Sequence, residues 1–300
     1  MKNIRMEKRG VILFLLIGFV SIGIYAQKIE WEQKAKLPKP MRGTAISCNN
    51  KIYFMEANHT ISGIYEYSII DDTWNKIGNM NTQGWNVNLA AIDGIIYVIG
   101  GDPFRDRIES YDPLKNIWNV LTPMPSARQH SNCCVVNSRI YVMGGITSWT
   151  NKTDKNEVYN PKTDTWQTLS PLPAPFGNPI IASIDNSIYA LCGDILWMYD
   201  TCSDKWETKE IYPAWISVMF GCAVINDKII IAGGQNKEEK AVSSVHIYNI
   251  TSNTWARSTD LPKPIQLGGI TALNGKIYII GGCDTDFNTY DNVYEGTLIE

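Results

Sequence analysis

Six tryptophans recur at nearly even intervals along this chain, and they constrain its fold more than any other feature. Their spacings are 43, 44, 48, 40 and 49 residues, and each of the last five follows a tyrosine by seven residues. Repetition at a period of roughly 40 to 50 residues indicates one supersecondary unit stacked against copies of itself. The tryptophans are Trp31, Trp74, Trp118, Trp166, Trp206 and Trp255, and the tyrosines are Tyr67, Tyr111, Tyr159, Tyr199 and Tyr248.

Each repeat also contains a short apolar segment that predicts a buried strand, and four of these segments end in two glycines. The clearest is Tyr97-Val98-Ile99-Gly100-Gly101. A small or aliphatic stretch precedes it, and the Asp93-Gly94 turn between the two predicts a hairpin. A third strand then ends in the repeated tyrosine, and a polar turn leads to the tryptophan strand. The repeat therefore predicts four antiparallel strands, which is the content of one propeller blade.

The diglycine strand, the Tyr-x6-Trp hairpin and a Leu/Met-Pro segment leading to an arginine resemble the repeats of the kelch family. The last feature occurs as Leu37-Pro38 leading to Arg42 and as Met124-Pro125 leading to Arg128. The resemblance covers roughly residues 28–299 and implies an all-β, six-bladed kelch-type β-propeller with four antiparallel strands per blade. A repeated helical hairpin is disfavoured, because no segment shows a sustained apolar stripe with a 3.6-residue period.

The N-terminal strand is expected to close the ring. The sixth repeat has three predicted strands, near residues 266–296 and ending at Tyr294, and no tryptophan follows them. Trp31, in contrast, precedes the first apolar strand. We therefore expect Ile29 to Gln33 to be the outer strand of the sixth blade, and residues 298–300 to lie beyond the last strand. Closure of this kind removes an exposed strand edge.

The first 26 residues predict a secretory signal peptide, which leaves residues 27–300 for the propeller. A basic start precedes an apolar run of 14 residues from Val11 to Ile24, and cleavage is expected after Ala26. The alternative is a membrane anchor, but the run is shorter than the roughly 20 residues of a spanning helix. We therefore expect an exported protein, whether periplasmic, cell-surface or extracellular, with no membrane span after signal cleavage.

Composition excludes some partners and leaves other properties open. Residues 27–300 carry 23 basic and 29 acidic side chains with no basic stripe, so we expect no nucleic-acid partner.

Seven cysteines do not form a disulfide framework, although Cys192 and Cys202 flank one strand and their pairing stays open. The glycosylation sequons matter only if the source has eukaryotic secretion, and the oligomeric state is not determined. The sequons begin at Asn58, Asn151 and Asn249.

The sequence contains no recognisable catalytic or metal-binding constellation. None of the three histidines has the spacing of a metal site, and no nucleophile elbow accompanies them. No diglycine is followed by a phosphate-binding motif. We therefore expect neither a metal nor a cofactor, and a binding module is favoured over an enzyme.

The kelch resemblance implies that a ligand meets the face built from the loops before each first strand and after each diglycine. Arginine and aromatic side chains that converge on a concavity are typical of binding sites. The alternative is that these side chains only pack the rim. The candidate binding residues are Arg42, Trp85, Arg128 and Trp215 before first strands, and Arg105 and Trp149 after diglycines. Asn178, Asp102, Arg107, Asp194, Gln235 and Asp284 are expected on the same face.

Two functions fit these features. The first is an exported, non-catalytic binding module for a protein or glycan ligand. The alternative is a sialic acid mutarotase or epimerase, because some secreted six-bladed kelch proteins have that activity and this chain is similar in blade count, signal peptide and rim arginines. Arg42, Arg105 and Arg128 are then candidates for the sialate carboxylate. No acid/base residue can be assigned, and the long insertions between blades that are associated with those proteins are missing here.

Overall fold

The structure is a computed structural model that describes residues 27–57, 62–81, 85–102, 105–213 and 221–299. The predicted signal peptide lies outside these residues. All regular structure within them is β-strand. The strands are β1 (Lys28–Lys34), β2 (Gly43–Cys48), β3 (Lys51–Glu56), β4 (Gly63–Ser68), β5 (Thr73–Asn79), β6 (Val87–Ile92), β7 (Ile95–Gly100), β8 (Ile108–Asp112), β9 (Ile117–Val120), β10 (Asn132–Val136), β11 (Arg139–Met143), β12 (Asn156–Asn160), β13 (Thr165–Thr168), β14 (Ile180–Ile184), β15 (Ser187–Cys192), β16 (Ile195–Asp200), β17 (Lys205–Thr208), β18 (Cys222–Ile225), β19 (Lys228–Ala232), β20 (Val245–Asn249), β21 (Thr254–Arg257), β22 (Gly269–Leu273), β23 (Lys276–Ile280) and β24 (Val293–Ile299).

The strands form six four-stranded antiparallel sheets, which are the blades of a ring. Blades 1 to 5 contain consecutive strands, from β2–β5 to β18–β21, and blade 6 contains β22, β23, β24 and β1. The first strand of each blade contacts the first strands of both neighbouring blades, so these inner strands surround a central axis. The predicted all-β, six-bladed propeller is confirmed.

The N-terminal strand closes the ring as predicted, but its partner strand is longer than expected. β1 pairs antiparallel with β24 from Lys28 opposite Ile299 to Lys34 opposite Val293. The expectation that Leu298 and Ile299 lie beyond the last strand is therefore wrong, because they pair with Ile29 and Lys28, and residue 300 lies outside the described residues. Both chain ends are needed to complete blade 6.

The repeated tyrosine and tryptophan lie opposite each other on the third and fourth strands of a blade. In blade 2 the ring centroids of Tyr111 and Trp118 are 4.6 Å apart, and the rings are stacked. The tyrosine is fully buried, whereas the tryptophan covers it and stays partly exposed. The corresponding rings in blades 1, 3, 4 and 5 are also within about 5.0 Å of each other.

A linker is the segment between the last strand of one blade and the first strand of the next. The turn between the tyrosine strand and the tryptophan strand binds the linker that enters the blade, and this arrangement is called here the linker clamp. In blade 3 the Asp164 carboxylate accepts hydrogen bonds from the Tyr159 hydroxyl at 2.6 Å and from the Thr122 backbone N–H at 2.9 Å. The Trp166 indole N–H donates to the Thr122 carbonyl at 2.8 Å. Blades 1 and 4 repeat the clamp with Asp72 and Trp74 on Ala35, and with Asp204 and Trp206 on Ser170.

Blade 6 departs from the repeated pattern where the chain ends meet. Trp31 lies opposite Gly296, not opposite a tyrosine. A Cβ atom at Gly296 would lie 2.5 Å from the Trp31 ring, so only glycine fits beneath this indole. Tyr294 does not end the third strand as predicted, because it is the second residue of β24 and pairs there with Gln33.

In blades 3, 5 and 6 the diglycine joins the blade to the linker that enters the next blade. Gly145 of blade 3 donates its backbone N–H to the Phe176 carbonyl at 2.8 Å. Gly144 has a φ of 61°, and a Cβ atom there would lie 2.6 Å from the same carbonyl oxygen. Gly282 makes the equivalent bond to Met41 at 2.8 Å and so links blade 6 to blade 1. Glycine is therefore required at both positions of the diglycine, because the neighbouring backbone approaches closely and φ is positive.

All seven cysteines are free thiols. Cys192 is buried at one end of β15, opposite Ile195, whereas Cys202 is exposed in the turn after the far end of β16. The possible bridge between them is therefore not formed. Among the sequons, Asn151 is exposed, Asn249 is partly buried and Asn58 lies outside the described residues.

The linker clamp predicts acid sensitivity at particular blades. The Tyr159 hydroxyl and the Thr122 N–H lower the pKa of Asp164, so the clamp contributes stability above the unfolded-state pKa and loses it as pH falls through the lower folded-state value. Asp164→Asn keeps an acceptor oxygen without the charge, so its stability should fall less between about pH 5 and pH 2. Urea unfolding at several pH values measures this difference.

Blade 2 provides the matched control, because Asn116 accepts the Tyr111 hydroxyl there. Asn116→Asp should increase the loss of stability on acidification. Identical pH dependence in the wild type and in both variants would show that the turn carboxylate does not stabilise the clamp.

Candidate functional site

The inner strands surround a central cavity of about 500 Å³ that all six blades line. The cavity meets the face of the ring formed by the linkers before inner strands and the loops after diglycines, called here the linker face. The residue at the end of each linker stands where the cavity meets this face. Among the described residues this ring, called here the mouth, consists of Arg42, Asn86, His130, Asn178 and Leu267.

Four of the mouth residues have a left-handed backbone. Asn86, His130, Asn178 and Leu267 have φ values between 53° and 57°. This conformation turns the chain from the linker into the inner strand. Asparagine and histidine adopt this conformation more often than most residues, whereas it is uncommon for leucine, and residues held in it cluster at ligand sites. The mouth is thus polar on blades 1 to 4 and apolar at Leu267 on blade 6.

Arg42 is held between aromatic rings at the mouth. Its guanidinium carbon lies 4.5 Å from the ring centroid of Trp85 and 6.0 Å from that of Phe287. Such stacking stabilises the cation through its faces and leaves the N–H groups at its edge to bind a partner. Within the described residues no carboxylate lies within 4.0 Å of this guanidinium. The arrangement suits an anionic group of a ligand.

Beside Arg42, three side chains from three blades form a polar row. His130 Nδ1 lies 3.1 Å from Asn178 Oδ1, and Asn86 Nδ2 lies 3.5 Å from His130 Nε2. Burial lowers the pKa of His130, while Asn178 and the nearby Asp102 oppose that shift. The imidazole is therefore neutral near pH 7.

Deeper in the cavity, the polar side chains are used to hold the ring together. Asn88 Nδ2 donates to Ser131 Oγ at 3.1 Å, and Ser183 Oγ donates to the Val135 carbonyl at 3.0 Å. The Cys222 thiol lines the same wall, and burial raises its pKa to about 12. A thiol with so high a pKa is not a nucleophile near neutral pH.

The structure brings two of the predicted site residues to the cavity, Arg42 and Trp85. Arg105 is partly buried in the loop after β7, and Trp149 is 75% exposed in the loop after β11. Both lie on the linker face but not in the cavity lining. Trp215 lies outside the described residues. The binding roles of these residues stay predictions.

The structure does not bring Arg128 to the mouth. Its side chain is fully buried and forms an ion pair of 2.5 Å with Glu157, which is also buried. The guanidinium further donates to the carbonyls of Ser126 at 3.0 Å and Val142 at 3.1 Å. Removing one partner of a buried ion pair strongly destabilises a fold. Arg128 therefore ties the linker to blade 3, and we leave it out of the proposed site.

The sequence patterns did not single out Asn86, His130, Leu267 or Phe287. One signal could have found the first three, because each of them, like Arg42, lies one or two residues before an inner strand. Phe287 comes from the loop after the last diglycine, and the length of this loop varies between repeats.

In the described part of the chain, no three His, Cys, Asp or Glu side chains are grouped to hold a metal ion. No helix in that part is long and apolar enough to cross a membrane.

The sequence comparisons agree with the repeat pattern. The family model of the kelch motif matches residues 86–125, 127–173 and 217–262. Kelch-like protein 35 of Mus musculus is 25% identical over 269 residues, which are 88% of this chain and 39% of that protein. An F-box/kelch-repeat protein of Arabidopsis thaliana is 30% identical over 88 residues, 29% of this chain and 23% of that protein. The chain thus spans less than half of either relative.

One solved structure has a closely similar fold. The structure of YjhT superposes with a TM-score of 0.76 and covers 89% of this chain and 99% of its own. The two sequences are 17% identical, so this likeness concerns the fold alone.

Proposed function

Because this chain is a kelch-repeat β-propeller, a fold that commonly serves as a protein-binding module, we propose that it binds a protein or glycan ligand at the mouth of its central cavity. The observation that carries this proposal is the Arg42 guanidinium, stacked on Trp85 at the opening of a cavity of about 500 Å³. The rest of the mouth offers amides, an imidazole and an apolar edge. Rigid loops around a concave opening are where such scaffolds bind ligands.

The ligand proposed for this site carries an anionic group and has neighbouring polar groups. A carboxylate, sulfate or phosphate can take two parallel hydrogen bonds from a guanidinium edge. Trp85 and Phe287 provide flat apolar surfaces beside that position, of the kind on which sugar rings or peptide side chains pack. Both an acidic glycan and an acidic peptide segment satisfy this chemistry.

Substitution of Arg42 tests the proposed site. A glycan array and a displayed-peptide library identify ligands of the wild type, and Arg42→Gln should weaken their binding by at least about 30-fold, as for an interface hot spot of roughly 2 kcal/mol. The control is Arg139→Gln, which removes an exposed arginine at the start of β11, on the opposite face of the ring. Equal loss in both variants, or no loss in Arg42→Gln, would place the binding site elsewhere.

A sialic acid mutarotase is the second candidate function, and one observation favours it. Arg42 and the neutral imidazole of His130 meet at the same mouth, so a carboxylate anchor and a group able to exchange a proton share one opening. Magnetic-resonance measurement of anomer exchange in N-acetylneuraminate tests this activity. Exchange that is faster with the protein than without it, and that is no longer accelerated by Arg42→Gln, supports the activity. A rate that the protein does not change rejects the activity but does not contradict the proposed binding site.

We also propose that the protein is exported. This proposal is supported by the basic start, the apolar run from Val11 to Ile24 and the cleavage point after Ala26. N-terminal sequencing of the protein recovered from its source tests it. A chain that begins at Gln27 agrees with the proposal, and an intact Met1 contradicts it.

A further inference from the structure

The hydrogen bonds of the polar row determine which nitrogen of His130 carries the proton. Asn178 Oδ1 can only accept, so Nδ1 of His130 is the protonated nitrogen of the neutral ring. His130 Nε2 then carries a lone pair, which faces the amide Nδ2 of Asn86 across 3.5 Å. The two amides are oriented accordingly, with Asn86 Oδ1 and Asn178 Nδ2 left on the other side of the row. The neutral mouth therefore combines an acceptor from blade 2 with a donor from blade 4.

We infer that His130 changes what the mouth binds beside the anionic group held by Arg42: a hydroxyl group when the ring is neutral, and further negative charge when the ring is protonated. This inference rests on the proposed binding function of the mouth. A proton on Nε2 makes this nitrogen a donor, which cannot face the Asn86 amide N–H groups. The Asn86 amide must then rotate so that its Oδ1 accepts from Nε2, and its Nδ2 becomes a second donor at the mouth.

The charges around His130 give the direction of this change. At neutral pH the mouth has one cation, Arg42, together with the mixed donor and acceptor amides that match hydroxyl groups. With the imidazolium it has two cations and amide donors from both neighbouring blades, which match an anion. The acidic group that acts on His130 among the described residues is Asp102, in the loop after β7. Its carboxylate favours the imidazolium, whereas burial opposes it, and burial has the larger effect.

The left-handed backbone at position 130 allows a precise variant. Asparagine adopts positive φ readily, and it occupies the equivalent positions 86 and 178. His130→Asn therefore keeps a hydrogen-bonding side chain and the backbone shape but cannot gain a charge. His246 provides an internal reference, since it is buried in blade 5 and bonded to the Tyr212 hydroxyl at 2.7 Å.

Long-range nitrogen–proton correlation spectra of the purified protein test the switch without any ligand. We expect the Nδ1–H tautomer of His130 at pH 7.5. As pH falls to 4.5, the ring should become protonated with a midpoint below the usual pKa of histidine. The side-chain amide signals of Asn86 should shift with the same midpoint, and titration of His246 should leave them unchanged. An Nε2–H tautomer at pH 7.5 would overturn the inference, as would Asn86 signals that do not shift when His130 is protonated.

Sulfate is the probe for the ligand preference, because its own charge does not change over this pH range. Its binding, followed through the Trp85 indole signal, should be at least about tenfold tighter at pH 4.5 than at pH 7.5, given the added charge at short range. The difference should vanish in His130→Asn. Sulfate binding that Arg42→Gln abolishes but pH does not alter would overturn the switch and support the site. Binding unaffected by Arg42→Gln would overturn the site, and the ligand-free titration would then decide the switch alone.

Discussion

Hydrogen bonds between blades and the linkers that connect them are the interaction on which the rest of this structure depends. A four-stranded antiparallel sheet has two faces to bury, and neighbouring blades bury them only if the linkers hold the blades at a constant spacing. The clamp of Asp164 and Trp166 on Thr122 does this near the outer edge of the ring. The bond from Gly145 to Phe176 does it near the axis. The linker that enters blade 4 is held in both ways, at Ser170 by Asp204 and Trp206 and at Phe176 by Gly145, and Asn178 at its end stands at the mouth.

This arrangement explains how loops without regular structure can form a well-defined site. Arg42 follows Met41, whose carbonyl accepts from Gly282 of blade 6 at 2.8 Å. The aromatic rings that flank Arg42 come from blades 2 and 6, so the stack exists only when the ring is closed on both sides of blade 1. The polar row likewise needs blades 2, 3 and 4 together. The proposed site is thus a property of the assembled ring, and closure by β1 is a requirement for it.

The sequence predicted the repeated parts well because each has a local chemical cause. The seven-residue spacing of tyrosine and tryptophan reflects two strands joined by one tight turn, and the diglycines reflect a close backbone approach. The prediction failed where a position departs from the repeat. Gly296 takes the place of a tyrosine because the Trp31 ring fills that space, and nothing in the pattern around residue 296 shows this. Arg128 and Arg42 end similar Pro-containing segments, yet only Arg128 meets a buried carboxylate, Glu157. That difference arises from contacts between distant residues.

Native-state hydrogen exchange of the β1 amides tests most directly whether ring closure supports the fold. Chain termini usually fray, and their amides then exchange through local opening. The β1 amides that pair with β24 should instead exchange as slowly as those of the inner strand β10, with the same dependence on denaturant. The reason is that separating β1 from β24 also breaks up the ring. Much faster exchange in β1, insensitive to denaturant, would show that the ring remains intact when its N-terminal strand detaches.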